Sequence, residues 1–293
     1  MYFQKKMIIV KLSGGLGNQL FQYALGRQLS IVNHTDLKMD TTNFSQPSGG
    51  TTRTFALGSF NIHAAQANKD EIKLLAGEPN RIFQRVRRKI GLMPIHYFKE
   101  PHFHFYQPVL SLQDGVYLDG YWQSEKYFAE IADRIREDLK PVGSFSNQYE
   151  TFKQSIKQSV SVSVHIRRGD YTTTSKANRY LKPCEALYYQ TAVEYLTKRI
   201  SNLVFFVFSD DIEWAKAHIH FGFPMQYVEG NSAQEDLLLI ASCQHHIIAN
   251  STFSWWGAWL NPHPDKIVIA PQKWFSTERF DTKDLLPESW ILL

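Results

Sequence analysis

The feature that most constrains this chain is an alternation in its second half. VSVSVHI at 160–166, NLVFFVFSDD from 202, HHIIAN from 245 and KIVIAP from 266 are short apolar-rich runs. Between them, residues 183–200, 212–220, 234–243 and 253–260 carry apolar residues at helical spacing, the first of these opening on Pro183, which suits a first helical turn. Apolar strands alternating with helices imply a parallel sheet covered on both faces. The chain's opening repeats the theme: Met7 to Leu12 reads as a strand and Ser13-Gly14-Gly15 as a turn. Leu16, Leu20, Tyr23, Ala24 and Leu29 then follow at helical spacing. The fold class is therefore α/β.

A length of 293 residues is comfortable for two domains of ordinary size. Residues 33–65 read as loop-rich, 68–92 as helical, 95–123 as aromatic-dense and 124–140 as an amphipathic helix. PVGSFSNQ at 141–148 reads as the linker, giving domains at 7–150 and 151–293. The basic stretch RIFQRVRRKIG at 81–91 is a solvated helix face before it is a contact for a membrane or an acidic glycan.

Charge excludes more than it selects. Lys plus Arg number 32 and Asp plus Glu 28, an excess that suits a small anionic ligand and is too weak for a protein that coats nucleic acid. The two cysteines, Cys184 and Cys243, form no CxxC pair, so neither a zinc site nor a disulfide framework is expected, and a reducing compartment is the simple inference. No apolar run of about 18 residues and no signal peptide is visible.

In open α/β sheets, ligands collect at the carboxyl ends of the strands. The polar clusters SGGLGNQ, HIRRGD, SDD and ANSTFS all follow such ends. Arg167 and Arg168 offer planar donor forks that match phosphate oxygens. One is expected to face the ligand and the other to pair with a carboxylate, Asp170 being the nearest in sequence; a salt-bridge cluster between domains is the structural alternative. Ser251, Thr252 and Ser254 precede a tryptophan-rich helix. They are candidates both for its N-cap and for a phosphate cradle at its start. Gly14, Gly15 and Gly17 permit close backbone approach to a ligand. Their pattern fits neither the dinucleotide fingerprint nor the phosphate loop, which disfavours dehydrogenases and P-loop NTPases. Asp210-Asp211 admits a metal, although arginines and a helix start can neutralise a diphosphate without one. His245 and His246 read as structural, and the tryptophans of FSWWGAWL as packing.

Taken together, GGLGNQLFQYA, VHIRRGDY, FSDD and EDLLLIASCQHHIIANSTFSWWGAWLN resemble the α-1,2-fucosyltransferase family, glycosyltransferase family 11. The resemblance runs from about Met7 to Pro271 and leaves 40–110, where acceptor choice is expected to vary, without a matching motif. It implies a GT-B arrangement of two Rossmann-like domains facing across a cleft, with 7–150 on the acceptor side and 151–293 holding GDP-fucose. The implied reaction moves L-fucose from GDP-β-L-fucose, with inversion, to the 2-hydroxyl of a terminal β-galactoside, the acceptor being an oligosaccharide, O-antigen or lipid-linked glycan. Neither metal nor cofactor is implied, and no nucleic-acid partner. A bacterial, cytoplasmic location is implied, with peripheral contact at the inner membrane as an option.

By the same resemblance, Arg167 grips the diphosphate, His165 lies near the nucleoside, and Asp236 matches a guanine-binding aspartate, at a spacing to STFS that differs by a few residues. Ser251, Thr252 and Ser254 fall on phosphate-binding hydroxyls, and Arg168 and Asn250 join the donor set. Gly15 and Asn18 match the first-domain loop that meets the donor, Asn18 standing with Arg167 and Asp170 in the catalytic set. Asp170 is one candidate base; Glu and His residues of the unmatched first-half segment are others. The competing readings are a transferase for another nucleotide sugar and a non-catalytic carbohydrate-binding protein.

Overall fold

The computed structural model describes residues 7–45, 53–77, 96–173 and 180–293. The basic stretch at 81–91 and the PSGG segment at 47–50 lie outside the described residues. The chain forms two compact units, Met1–Val142 with Asp281–Leu285, and Gly143–Phe280 with Leu286–Leu293.

The first unit is built on β1 (Met7–Lys11), whose Met7, Ile8, Ile9 and Val10 are at most 1% exposed, as a central parallel strand requires. Around it the sheet runs in the order β3-β2-β1-β5-β4, with β2 at Asp36–Asp40, β3 at Ala65–Gln66, β4 at Tyr97–Lys99 and β5 at Val116–Asp119. All its pairings are parallel. Helices α1 (Leu16–Val32) and α2 (Lys69–Ala76) follow β1 and β3, α2 being closed at its start by a reciprocal Asn68/Glu71 capping box. Buried Asp138 accepts from the Tyr23 hydroxyl at 2.7 Å and from Arg27 Nε at 2.8 Å, tying α1 to α3 (Ala132–Asp138).

Several expectations are corrected here. The segment 33–65 contains β2, whose DLKMD sequence hides a strand because only Leu37 and Met39 are apolar. The aromatic stretch contains β4 and β5, which are too short to show a period. The helix expected over 124–140 is two 3-10 turns, Glu125–Tyr127 and Ala129–Ile131, followed by α3, because Tyr127 and Phe128 turn into the core and interrupt the amphipathic face.

The second unit is a six-stranded parallel sheet ordered β11-β10-β9-β6-β7-β8. Its strands are β6 (Val160–Ile166), β7 (Leu203–Ser209), β8 (Met225–Val228), β9 (His245–Ile247), β10 (Val268–Ala270) and β11 (Ile291–Leu292). Its helices are α4 (Asn147–Lys157), α5 (Gly169–Thr173), α6 (Ala186–Thr197), α7 (Ile212–His218), α8 (Ala233–Ser242) and α9 (Thr252–Leu260).

Both faces are covered. Val162, Val164, Phe205 and Val207 pack with Tyr189, Val193 and Leu196 on one side. Phe206 and Phe208 pack with Tyr149, Ile156, Leu239 and Ile240 on the other. The alternating serines of VSVSVHI have a buried use: Ser163 Oγ lies 2.9 Å from His246 Nδ1, and Asn261 Nδ2 lies 2.9 Å from His246 Nε2. His246 is therefore structural, sealed at 0% exposure.

Pro183 precedes α6, whose first residue is Ala186, so it is not in that helix's first turn. The boundary expected at 150/151 falls inside α4, which Ser146 caps by accepting from Tyr149 N–H; the compact units divide instead at Val142/Gly143. The chain also returns late to the first unit, where Asp284 accepts from Phe105 N–H at 3.1 Å and pairs with Lys126 at 2.6 Å. Among the described residues, no helix is long and apolar enough to cross a membrane.

Candidate functional site

The register of two strands builds the charged site of the second unit. β6 and β7 pair from Val160↔Leu203 to Ile166↔Ser209, so they end level, and Arg167-Arg168 emerges beside Asp210-Asp211. Arg167 Nη1 lies 3.0 Å from Asp210 Oδ2, and the other oxygen of Asp210 accepts the backbone N–H of Arg168 at 2.8 Å. The Arg168 guanidinium sits 3.7 Å above the Trp214 ring and 3.6 Å from Asp211. Asp211 also caps α7, accepting from Trp214 N–H at 3.3 Å. Gly169 leaves room for this pair: a Cβ there would lie 2.5 Å from Asp210 Oδ2, so a larger residue would have to displace that carboxylate. The acid pair that admitted a metal on sequence grounds is thus paired with arginines. Among the described residues, no group of three or more His, Cys, Asp or Glu side chains could hold a metal ion.

His165 is 4% exposed, and burial, with Arg167 adding to it and Asp210 opposing it, pushes its pKa down to about 3, so the ring is neutral near pH 7. Its Nδ1 is buried without a hydrogen-bond partner, and its ring centroid is 5.5 Å from that of Phe253. Asp236 stands in the first turn of α8, where burial pushes its pKa up to about 6 despite the hydrogen bond from the Asn231 amide at 3.1 Å.

The segment after β9 is divided in its uses. Asn250 is buried and donates to the carbonyls of Lys182 and Trp274, both at 3.0 Å, so its amide locks neighbouring loops. Its carbonyl accepts from the Tyr171 hydroxyl at 2.9 Å, which fastens α5 to this loop. Ser251 caps α9 through Phe253 N–H, and the fully buried Ser254 hydroxyl reaches back to the carbonyls of Ala249 and Ser251. Two of the three hydroxyls expected in a phosphate cradle thus also serve the helix, and Thr252, its first residue, is partly exposed. Asp170 lies in α5, but its side chain is outside the described residues.

His165, Arg167, Arg168, Asp236, Asn250, Ser251, Thr252 and Ser254 thus share the carboxyl edge of one sheet. Gly15 and Asn18 belong to the other unit, at the carboxyl edge of its own sheet. There the residue that needs glycine by dihedral is Gly14, at φ +78°, while Gly15 is the N-cap of α1 at φ −79°. Asn18 accepts from Gln123 Nε2 at 2.9 Å.

Two glutamines that sequence reasoning passed over hold this loop. Gln22 bridges Ser13 N–H, Ser13 Oγ and Gly120 O at 2.9, 2.9 and 3.0 Å. Gln19 bridges Gly14 O, Thr54 O and Ala56 N–H at 3.1, 2.8 and 2.9 Å. The available signal was polarity on the apolar face of a helix: both are 0% exposed. Trp214 and the arginine-pairing role of Asp210 and Asp211 were also missed, because they follow from strand register.

Comparison with known proteins bears on the family and the fold. The family described as Glycosyl transferase family 11 matches residues 93–293. The chain is 36% identical to an Escherichia coli protein described as alpha-1,2-colitosyltransferase, over 97% of this chain and 98% of that one. It is 34% identical to the Escherichia coli O-antigen biosynthesis glycosyltransferase WbnK, over 96% and 99%. It is 24% identical to the Sus scrofa galactoside alpha-(1,2)-fucosyltransferase 1, over 84% and 63%. Among solved structures, a mutant of Arabidopsis thaliana FUT1 in complex with GDP superposes with a TM-score of 0.53 at 12% identity, over 98% of this chain and 76% of that one. POFUT1 in complex with GDP-fucose gives 0.50 at 13%, over 90% and 98%. These likenesses bear on the fold, which is the GT-B type with two parallel-sheet Rossmann-like halves.

Proposed function

The chain belongs to glycosyltransferase family 11, and from that premise we propose that it transfers a 6-deoxyhexose, L-fucose in the first instance, from its GDP-sugar to the 2-hydroxyl of a terminal β-galactoside with inversion. The observation that carries the donor half of this reading is Arg167 at the end of β6, held by Asp210 beside the start of α9. A fixed guanidinium and a helix start stabilise the negative charge that gathers on a departing diphosphate while the anomeric carbon takes on oxocarbenium character. Because the guanidinium is already oriented by a carboxylate, little reorganisation accompanies the reaction.

In this reading Arg168, steadied on Trp214, adds charge to the diphosphate site, and neutral His165 lines it. Asp236 receives the guanine base; its raised pKa fits a carboxyl awaiting a donor partner. Thr252 contributes a hydroxyl, and no metal takes part. The acceptor is the terminal galactoside of a bacterial surface glycan or its lipid-linked precursor, bound through the first unit. A cytoplasmic location, peripheral to the inner membrane, belongs to the same proposal.

One observation favours a second donor: the 36% identical relative is described as a colitosyltransferase. Colitose lacks one hydroxyl that fucose carries, and a site that hydrogen-bonds that hydroxyl rejects the analogue strongly. Product analysis with GDP-fucose and GDP-colitose against a panel of β-galactosides, in EDTA, tests the reading. Fucose linked α-1,2 to galactose is expected; transfer of colitose alone would replace the donor, and UDP inhibiting in place of GDP would overturn the reading.

A further inference from the structure

The carboxyl edge of the first sheet carries an acid that the reactions above leave unused. Glu100 follows β4, its backbone N–H donating to Asp119 O at 2.9 Å. Its carboxylate turns toward the chain leaving β5: Oε2 accepts from Tyr121 N–H at 2.7 Å and Oε1 from Trp122 N–H at 2.9 Å. Two features admit it. At Gly120 a Cβ would lie 2.4 Å from the Glu100 Cβ and 2.8 Å from its Oε2. Trp122 sits at φ 57°, a left-handed conformation that costs a non-glycine residue about 1–3 kcal/mol and that persists where surroundings enforce it. Here the enforcing contacts are the fully buried Trp122 ring against Phe98 and Tyr127, with Gln22 on Gly120 O and Gln123 on Asn18. Strained backbone of this kind clusters at active sites, ligand clamps and switch regions.

Each carboxylate oxygen accepts one N–H and so retains a lone pair for a further donor. Burial is the largest influence on the group and pushes its pKa up to about 7; Asp119 adds to the rise, while the two N–H groups and Lys99 oppose it. Asp119 is in turn faced by Lys11 at 3.3 Å and by the Tyr97 hydroxyl, and among the described residues Tyr127 also feels the charge of Glu100. A carboxylate whose only task is to clamp two N–H groups works best when firmly ionised. One poised near neutrality suits proton transfer.

We propose that Glu100 is the general base that takes the proton from the acceptor hydroxyl, in a sugar subsite formed by the Gly120–Gln123 turn. The 44% exposed Tyr121 belongs to this turn and offers an aromatic face to a sugar ring. The inference rests on the transferase reading above. In the step, the acceptor O–H bond breaks and its proton passes to a Glu100 oxygen. The oxygen's electron pair forms the new bond to the anomeric carbon. The bond from that carbon to the diphosphate breaks, and its electrons leave with GDP.

The test is the pH profile of kcat/KM for the acceptor at saturating donor, read beside GDP affinity by calorimetry. Wild type is expected to show a limb that rises with pH, of slope one, with its midpoint at about 7. Glu100→Gln is expected to lower kcat by about 10²–10⁴ and to abolish the limb while GDP affinity holds. A flat wild-type profile, or Glu100→Gln within about threefold of wild type with its limb intact, overturns the proposal. Should Glu100→Gln fail to fold, Glu100→Ala with added formate decides: regained turnover supports a base, and no regain in a protein whose first unit unfolds at the wild-type midpoint leaves a clamp only. Wild type that binds no GDP would sink the donor reading instead, so the two failures are distinguishable.

Discussion

The two units share an architecture and differ in the polarity of their carboxyl edges. In the second, the loops present two guanidiniums, each matched to an aspartate, beside a helix start. In the first, the corresponding loops are laced by the neutral amides Gln19, Gln22, Asn18 and Gln123, beside the Lys11–Asp119 pair, Arg53 near Gly15 and the raised carboxyl of Glu100. One edge concentrates paired positive charge at its loops; in the proposal above, the other receives the acceptor hydroxyl. A parallel sheet fixes where a ligand sits; the side chains at its strand ends fix the sign of that ligand's charge.

The largest effect expected from breaking this contrast is structural and confined to the first unit. Asp138→Ala leaves Arg27 and the Tyr23 hydroxyl without their buried partner and is expected to cost about 3–5 kcal/mol in chemical denaturation. GDP affinity of the protein that remains folded should be unchanged; a proportional loss of GDP binding would deny the units their separate roles.

Next in size is Arg167→Ala, expected to lower kcat about 10²–10³-fold, roughly 2.7–4 kcal/mol of transition-state stabilisation, with the melting temperature little changed. Near-normal turnover in a folded variant would remove the arginine from the chemistry.

A smaller and more discriminating effect is the sign of proton linkage. Burial depresses the pKa of His165 to about 3 and of His246 well below its usual value. Their contribution to stability is therefore full above the unfolded value of about 6.5 and is lost as pH falls below it, by up to about 1.4 kcal/mol per pH unit for each histidine. Asp236, raised to about 6, works the other way but is one group against two. Glu100, raised from 4.5 to about 7, gives the first unit the opposite sign: its contribution is present in acid and lost as pH rises through 7. Denaturation from pH 5 to 8 with a fluorescent probe in each unit should show midpoints moving in opposite directions; parallel movement would contradict the assignment.

The smallest effect sharpens the charged edge. Trp214→Ala removes the ring under Arg168 and should weaken GDP binding by about 0.5–2 kcal/mol, with Trp214→Phe recovering part of it. No change would mean that Asp211 alone orients Arg168.

Legibility in the sequence followed the same division. β6 and β7 were readable because each has seven residues with a strong apolar content, and α1 because its periodicity follows a glycine turn. β2, β4, β5, β8 and β11 were not, since two to five residues of mixed polarity carry no usable period. Arg167 and Arg168 stood out as a local pattern. Their pairing with Asp210 and Asp211 did not, because it depends on the register Ile166↔Ser209, which no single segment encodes. Glu100 was least visible of all: its environment is made by residues 21 and 22 positions away and by one left-handed tryptophan.

The claim on which the rest depends is that the carboxyl edge of the second sheet holds a guanosine diphosphate through Arg167. The most direct measurement is calorimetric titration of GDP, in EDTA, into wild type and Arg167→Ala, with UDP as the control. GDP binding to wild type without added metal, no response to UDP, and an affinity at least about 100-fold weaker in the folded variant is the predicted result. Equal affinity in wild type and Arg167→Ala, or UDP binding as well as GDP, would contradict it.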